Sequence, residues 1–477
     1  MMLSFQFDNT YTKELPERLF TKQLAASFTK PELVLYNSSL AKELGLESPK
    51  DDNKDYFAQL FSGQIIPEGT QPFAQAYAGH QFGHFNILGD GRTLMLGEHL
   101  TPNQQRFDIQ LKGSGPTPYS RRGDGMATLY SMLREYLISE AMYHLGIPTT
   151  RSLAVVKTGD TVYREVEHEG AVLTRVAQSH IRVGTFQYVR QFLSNEELSQ
   201  FLDYVIQRHY PELTFSNNKA IDFLTSVMHR QIDLIVHWMR VGFIHGVMNT
   251  DNMSIPSETI DYGPCAFMNS YHPATVFSSI DQHGRYAYQN QPGIAHWNLG
   301  ALAGALLPLI HEEETTAIAL AKEVLNQFPS LYQQRWLHMM GSKIGLLQTT
   351  DDDISLIQEL LTIMEQSQAD YTETFYLLTY HPEKLSPVFQ NWLQKRSQRI
   401  SEYSPIVVET LMQENNPVVI PRNHLVEEAL QKAAFENDLT PLNNLLQVLK
   451  NPYEDVAGLE YYKQSSTDDS YKTYCGT

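Results

Sequence analysis

FIHGVMNTDN, residues 243–252, sets a His, an Asp and an Asn in one short loop. Asn252 follows His245 by seven positions, Asp251 directly precedes the Asn, and Val247 stands two after the His. An Asn beside an Asp offers a neutral oxygen donor and a carboxylate, the materials of a metal-assisted transfer site. The same Asn-Thr-Asp-Asn also builds turns through Asx hydrogen bonds to its own backbone. Its surroundings decide between the two.

Downstream lie an apolar Met-Ser-Ile, a turn at Pro256-Ser257-Glu258, and then Thr259-Ile260-Asp261-Tyr262-Gly263. This spacing predicts a short β-hairpin that brings Asn252 and Asp261 together. As oxygen ligands they suit Mg²⁺ or Mn²⁺, with nucleotide phosphates and water completing the shell. The loop has the spacing of the protein-kinase H-R-D-x-x-x-x-N, and Asp-Tyr-Gly resembles D-F-G. In that pattern the third residue is the catalytic base. Here it is Val247, which accepts no proton, and Asp251 is the nearest carboxylate.

Upstream, NILGDGRTLMLGEHL (86–100) reads as a β-hairpin turning at Gly-Asp-Gly-Arg. Such a turn lets backbone N–H groups approach phosphate, and Arg92 adds charge. FDIQLK (107–112) alternates, with Phe107, Ile109 and Leu111 on one face and Asp108, Gln110 and Lys112 on the other. Lys112 is either a solvated edge residue or a phosphate ligand. A helix over 125–145 ends at Gly146 and Pro148, and Glu135 interrupts one of its apolar rows. A half-buried carboxylate needs a partner, and Lys112 is the candidate, as in the kinase Lys–Glu pair. Short strands are predicted at 152–157, 161–166 and 171–176, and long helices at 219–241 and 294–310. Arg121 and Arg122 precede Gly123-Asp124-Gly125, while Arg175 and Arg182 close the strand region. These are surface arginines or a phosphate pocket.

The chain has 477 residues, 42% apolar and 19% charged, the composition of a soluble globular protein. A net charge of −18 argues against nucleic acid as a partner. Two cysteines, Cys265 and Cys475, make no disulfide framework and no cysteine-based zinc site. No window reaches about 18 uninterrupted apolar residues, and the N-terminus lacks a basic region followed by an apolar core. These features lead us to expect a cytoplasmic protein without membrane segments. The lack of heptads leads us to expect a monomer.

The pattern as a whole predicts an α+β, protein-kinase-like two-lobed fold. Residues 1–70 are expected as an extension packed on the core, 71–185 as a small β-rich lobe with one key helix, 186–330 as a helical lobe with the catalytic and metal loops, and 331–477 as a helical region with a polar tail.

YAGHQFGHFN (77–86), DIQLKGSGPTPYSRRGDG (108–125), REYLISEAMYHLGIPTTR (134–151), HGVMNTDNMSI (245–255), TIDYGP (259–264) and QPGIAHWNL (291–299) together resemble the selenoprotein O family. The resemblance implies a kinase-like enzyme that binds ATP end for end relative to kinases and moves AMP, with loss of pyrophosphate, to Ser, Thr or Tyr hydroxyls of proteins. UMP transfer from UTP is also attributed to bacterial members. It implies nucleotide contacts at Gly89, Gly91, Arg92, Lys112, Asp124, Gly125, Arg175, Arg182 and Asp261. It likewise implies metal ligation by Asn252 and Asp261, proton acceptance by Asp251, and a Glu135–Lys112 pair. The ending Cys475-Gly476-Thr477 keeps the family's sulfur but not the usual pair of serines after it. Cys265 reads as an inert small hydrophobe. Two other readings compete: a nucleotide-binding scaffold without catalysis, against which both metal ligands are retained, and a conventional kinase, against which Val247 stands.

Overall fold

The computed structural model describes residues 4–466 and 470–474. Its β part is a seven-stranded antiparallel sheet. In chain order its strands are β1 (Phe20–Lys22), β2 (Glu32–Tyr36), β3 (Phe73–Gln75), β6 (Thr93–Leu100), β7 (Arg106–Lys112), β8 (Arg151–Tyr163) and β9 (Glu167–Ala177), in the spatial order β1-β3-β6-β7-β9-β8-β2. Between β3 and β6 the chain forms a separate ribbon of β4 (Ala78–Gln81) and β5 (His84–Ile87).

Residues 1–70 do more than pack on the body, because they supply both edge strands, β1 and β2. Their helices Ser38–Leu44 and Lys54–Phe61 cover one face of the sheet, where Leu40, Phe57 and Phe61 share a buried apolar cluster with Ile109 and Leu111 of β7. That cover buries the apolar face of β7. The opposite face, Asp108, Gln110 and Lys112, is also buried, since β7 lies between β6 and β9 under the Leu129–His144 helix. Lys112 therefore sits in the interior and not at a solvated edge.

The hairpin expected over 86–100 does not form. β5 pairs with β4, whereas β6 pairs with β3 and β7. The glycine turn between β5 and β6 is pulled onto β3 instead. Asp90 N donates to Gln75 O at 2.9 Å, and Gln75 N donates to the buried Asp90 carboxylate at 3.0 Å. The three short strands expected between 152 and 176 are two long ones. Thr158-Gly159-Asp160 is a bulge within β8, with Gly159 at φ 80° against Lys30 and Asp160 accepting from Thr29 N. The chain reverses only at 164–166.

The Leu129–His144 helix starts at Thr128, whose hydroxyl accepts from Ser131 N at 3.2 Å. The helical part is built around Lys219–Val241, capped by the Asn218 side chain and ended by Gly242 at φ 70°. The segment Tyr288–Ile310 is long and apolar enough to cross a membrane by length and composition. Its helix, Gln291–Ile310, packs against the Val183–Phe192, Lys219–Val241 and Glu314–Leu325 helices. Strand β10 (Phe243–Ile244) leads into the opening loop and pairs with β11 (Ala266–Phe267), which follows Asp-Tyr-Gly. That pairing sets the two loops side by side. Residues 253–260 form no hairpin. Ser254 bridges to Arg182 and Thr259 to Thr149, with a turn at Ser254–Ser257 between them. Cys265 is buried, and burial pushes its thiol up to about 11. Cys475 lies outside the described residues.

Candidate active site

Lys112 and Glu135 meet as the alternation of β7 and the interrupted helix row require: Lys112 Nζ lies 2.5 Å from Glu135 Oε2. Arg175, from β9, completes a square. Its Nε is 3.0 Å from Glu135 Oε1 and its Nη2 is 3.4 Å from Asp261 Oδ1, the atom Lys112 also binds. The side chains of Lys112, Glu135 and Arg175 are at most 4% exposed, while Asp261 keeps 35%, so the cluster opens to the cleft through Asp261. Burial pushes the Asp261 carboxyl up, but Lys112, Arg175 and Arg92 outweigh it and hold the group well below the usual range. Burial moves Lys112 down despite both carboxylates.

Asp261 has a positive φ of 69°, a conformation an L residue adopts only when its surroundings impose it. The surroundings are visible. His245 Nε2 bonds Ile260 O at 2.9 Å, and Arg134, next to Glu135, donates to Gly263 O at 3.1 Å and Cys265 O at 2.6 Å. His245 thus ties the two loops together and touches no cleft.

The second half of the site is the Asn249–Asn252 segment, clamped by the β4–β5 ribbon. Asn249 Oδ1 accepts from Phe82 N at 3.1 Å and Tyr286 OH at 2.6 Å. Thr250 Oγ1 accepts from His80 N at 2.7 Å and donates to Gln187 at 2.6 Å. Gly79 and Gly184 press on Asp251 so closely that a Cβ on Gly79 would lie 2.7 Å from Asp251 Oδ1. Asp251 is 8% exposed. Its Oδ2 has only a 3.4 Å contact with Gln81, and its buried Oδ1 has no hydrogen-bond partner. Burial, opposed by Arg182, raises this carboxyl to about 6. A proton acceptor near neutrality with an unfilled oxygen is what general-base catalysis needs.

Asn252 Nδ2 donates to Val247 O at 3.0 Å, so Oδ1 is the amide's remaining ligand atom. Among the described residues no group of three or more His, Cys, Asp or Glu is placed to hold a metal ion. Asn252 Oδ1 and an ionised Asp261 are hard oxygen donors too few to saturate an ion. They fit Mg²⁺ or Mn²⁺ that shares phosphate oxygens and water.

Arg182 is 4% exposed and makes no salt bridge among the described residues. Its guanidinium lies 4.3 Å over the Tyr77 ring, and its Nε has no hydrogen-bond partner. A buried cation with no carboxylate in ion-pair contact suits an anion. Gly89, at φ 149°, lies against the Tyr119 side chain and Gly91 against the Tyr119–Ser120 backbone, so their lack of a Cβ serves packing as well as any phosphate approach. Asp124 and Gly125 stand apart. Asp124 pairs with Arg164 at 2.7 Å near the surface, and Gly125 packs on Gly115. Residue-by-residue reading missed Asp90, Gly79, Gly184 and Arg134. Their signal was the density of glycines and polar residues in YAGHQFG and LGDGR, which no periodicity explains.

A Lys–Glu pair on a sheet and its covering helix, joined to an Asn–Asp pair on two adjacent loops, defines a nucleotide-handling site of the protein-kinase type with its base position vacated. The family model described as "Protein adenylyltransferase SelO" matches residues 1–450, and the chain belongs to that family. The "Protein nucleotidyltransferase YdiU" of Anoxybacillus flavithermus is 53% identical over the whole length of both chains. That of Nitrosococcus oceani is 51% identical, covering all of this chain and 98% of its own. Among solved structures, ROP2 from Toxoplasma gondii, a virulence factor "with a protein-kinase fold and no enzymatic activity", aligns at 8% identity and a TM-score of 0.27, over 77% of this chain and 96% of that one.

Proposed function

We propose that the chain transfers AMP from ATP to Ser, Thr or Tyr hydroxyls of proteins and releases pyrophosphate, with UTP as a second nucleotide donor. The observation that carries this reading is the displaced carboxylate. Val247 stands where a kinase keeps its base, and Asp251 is buried beside Asn252 with Oδ1 unpartnered. In this reading Asp251 takes the acceptor's hydroxyl proton at Oδ1 as oxygen attacks the α-phosphorus. Lys112, Arg175, Arg182 and Arg92 hold phosphate oxygens, and Glu135 orients Lys112 and Arg175. A nucleotide turned end for end puts its β- and γ-phosphates where kinases bind adenine, which accounts for buried arginines in place of apolar walls. Asn252 and Asp261 would hold Mg²⁺ or Mn²⁺, which when bound would supply positive charge to the α-phosphate and the leaving pyrophosphate. A nucleotide contact at Asp124 requires its loop to release Arg164.

The test uses ATP labelled at the α- or the γ-phosphate, with Mg²⁺ or Mn²⁺ present. Label retained on protein from the α position is expected. Retention only from the γ position makes the protein a kinase, and bound nucleotide with no retention makes it a scaffold.

A further inference from the structure

The reaction needs a second substrate, and one surface beside Asp251 is shaped for it. The β4–β5 ribbon turns at Phe82-Gly83, with φ of 51° and 87°, a two-residue turn of the type that suits strand twist. Its register, Gln81↔His84, His80↔Phe85, Gly79↔Asn86 and Ala78↔Ile87, sends alternate backbone groups outward. On the β4 side they are used: His80 N binds Thr250, and Ala78 O abuts Gly184. On the β5 side the outward N–H and C=O groups of Phe85 and Ile87 find no partner strand among the described residues, where β5 pairs with β4 alone. The side chains there are also open. Phe85 is 42% exposed and Ile87 58%, and Trp297, 41% exposed, reaches the same ribbon through His80 at 5.2 Å. An exposed strand edge flanked by apolar groups is a template for an added strand.

Past the ribbon's tip the edge runs into a groove of about 680 Å³ between Phe82 and His84 on one side and residues 280–294 on the other. Its charge comes from Arg285. That guanidinium lies 5.1 Å over Trp297 and 5.8 Å from the Tyr286 ring, makes no salt bridge among the described residues, and has a buried Nε without a partner. The neighbouring carboxylate, Asp281, makes no ion pair with it: its oxygens accept instead from the backbone N–H groups of Arg285 and Tyr286, at 2.9 and 2.8 Å. The remaining polar lining is His and amide side chains. A guanidinium with no ion-pair partner at the wall of a groove is a local contact point for a carboxylate of an occupant.

We propose that the acceptor protein docks here as an extended, acidic segment: its backbone adds to the β5 edge, a carboxylate side chain meets Arg285, and the hydroxyl to be modified is delivered past Gln81 to Asp251. The site is contiguous with the catalytic loop, for Gln81 contacts Asp251 and Phe82 holds Asn249. This rests on the transferase reading above and adds the class of acceptor to it.

The experiment compares two hydroxyl-bearing peptides, one flanked by Asp and Glu and the other by Lys, as acceptors for α-labelled ATP. Wild-type protein is expected to favour the acidic peptide. Arg285→Glu is expected to raise KM for that peptide about tenfold, to lower it for the basic one, and to leave nucleotide affinity unchanged. Ile87→Pro removes one outward donor without breaking the β4 pairing, and is expected to raise KM for both peptides with kcat little changed. An unaltered acidic-to-basic preference in Arg285→Glu overturns the docking site. So does self-labelling of the wild type with neither peptide labelled, which leaves the transferase reading standing. No α-label on any acceptor, the protein itself included, overturns the transferase reading and this one with it.

Discussion

Asp261 and Asp251 face the same site, and the regions that hold them push the two carboxyls in opposite directions. Around Asp261, β7, β9 and the Leu129–His144 helix gather Lys112, Arg175 and Glu135 into a cluster in which two cations meet two anions. Around Asp251, the β4–β5 ribbon and two glycines exclude water and supply one weak contact. The first region compensates its buried charge. The second leaves a carboxylate under-satisfied, which costs stability and is tolerated where chemistry needs a base. Substitution should therefore separate the two regions by stability as well as by activity.

The sharpest separation is expected from Asp251→Ala. Transfer should fall about 10²–10⁴-fold, the range of a lost general base. ATP affinity and Tm should hold or rise slightly, because a poorly solvated carboxyl is removed. Undiminished transfer removes Asp251 as the base. Lys112→Ala should instead damage both properties. It strips the buried Glu135 of its lysine and leaves Arg175 to hold both carboxylates in contact, a loss of roughly 3–5 kcal/mol for one member of a buried pair. Denaturant unfolding with and without nucleotide checks it. A variant that keeps its stability would show that the cluster is not compensated as drawn.

A third carboxyl lies between the loops. Glu258 is buried under the turn that follows Asn252, accepts from Gln178 N at 2.9 Å, and is pushed by burial up to about 8. An exposed glutamate releases its proton near 4.5, so the folded chain binds more protons across that window. Stability from this group therefore falls as pH rises from about 4.5 to 8. Glu258→Gln should flatten the decline by roughly 2–4 kcal/mol in unfolding measurements between those limits. An unchanged slope would place Glu258 in a better-solvated or better-paired setting.

The two regions were also unequally legible. Lys112 and Glu135 could be read because strand alternation and helix periodicity say which side chains share a face, Asp261 from the spacing of Asp-Tyr-Gly after Asn252, and the Lys219–Val241 helix from its apolar period. The clamp on Asp251 has no period. It depends on glycines admitting one backbone to another, and on a ribbon whose partner β4 precedes the expected turn, so local apolar runs paired the wrong strands. Lys112 looked exposable because alternation puts it on the polar face of β7, and a polar face reads as solvated unless something covers it; here the Leu129–His144 helix lies over it, while the apolar face is taken by helices from residues 38–61, far away in the chain. The two strands β1 and β2 were missed for a related reason: short edge strands carry too few residues to show alternation.

The finest test of the contrast is Gly79→Ala. Its added Cβ would stand 2.7 Å from Asp251 Oδ1 and 3.1 Å from Thr250 Oγ1, so its three nearest neighbours all belong to the Asp251 loop. The methyl must displace the carboxylate or shift β4 by a few tenths of an ångström. A small misplacement of a base costs rate more than binding. We expect kcat to fall about tenfold with KM for ATP within twofold, and Tm to drop by a few degrees at most, about 1 kcal/mol. Loss of nucleotide affinity in this variant would mean that the ribbon supports the phosphate pocket as well, and that the two regions are one mechanical unit. An unchanged kcat would mean that Asp251 need not be held where the glycines put it.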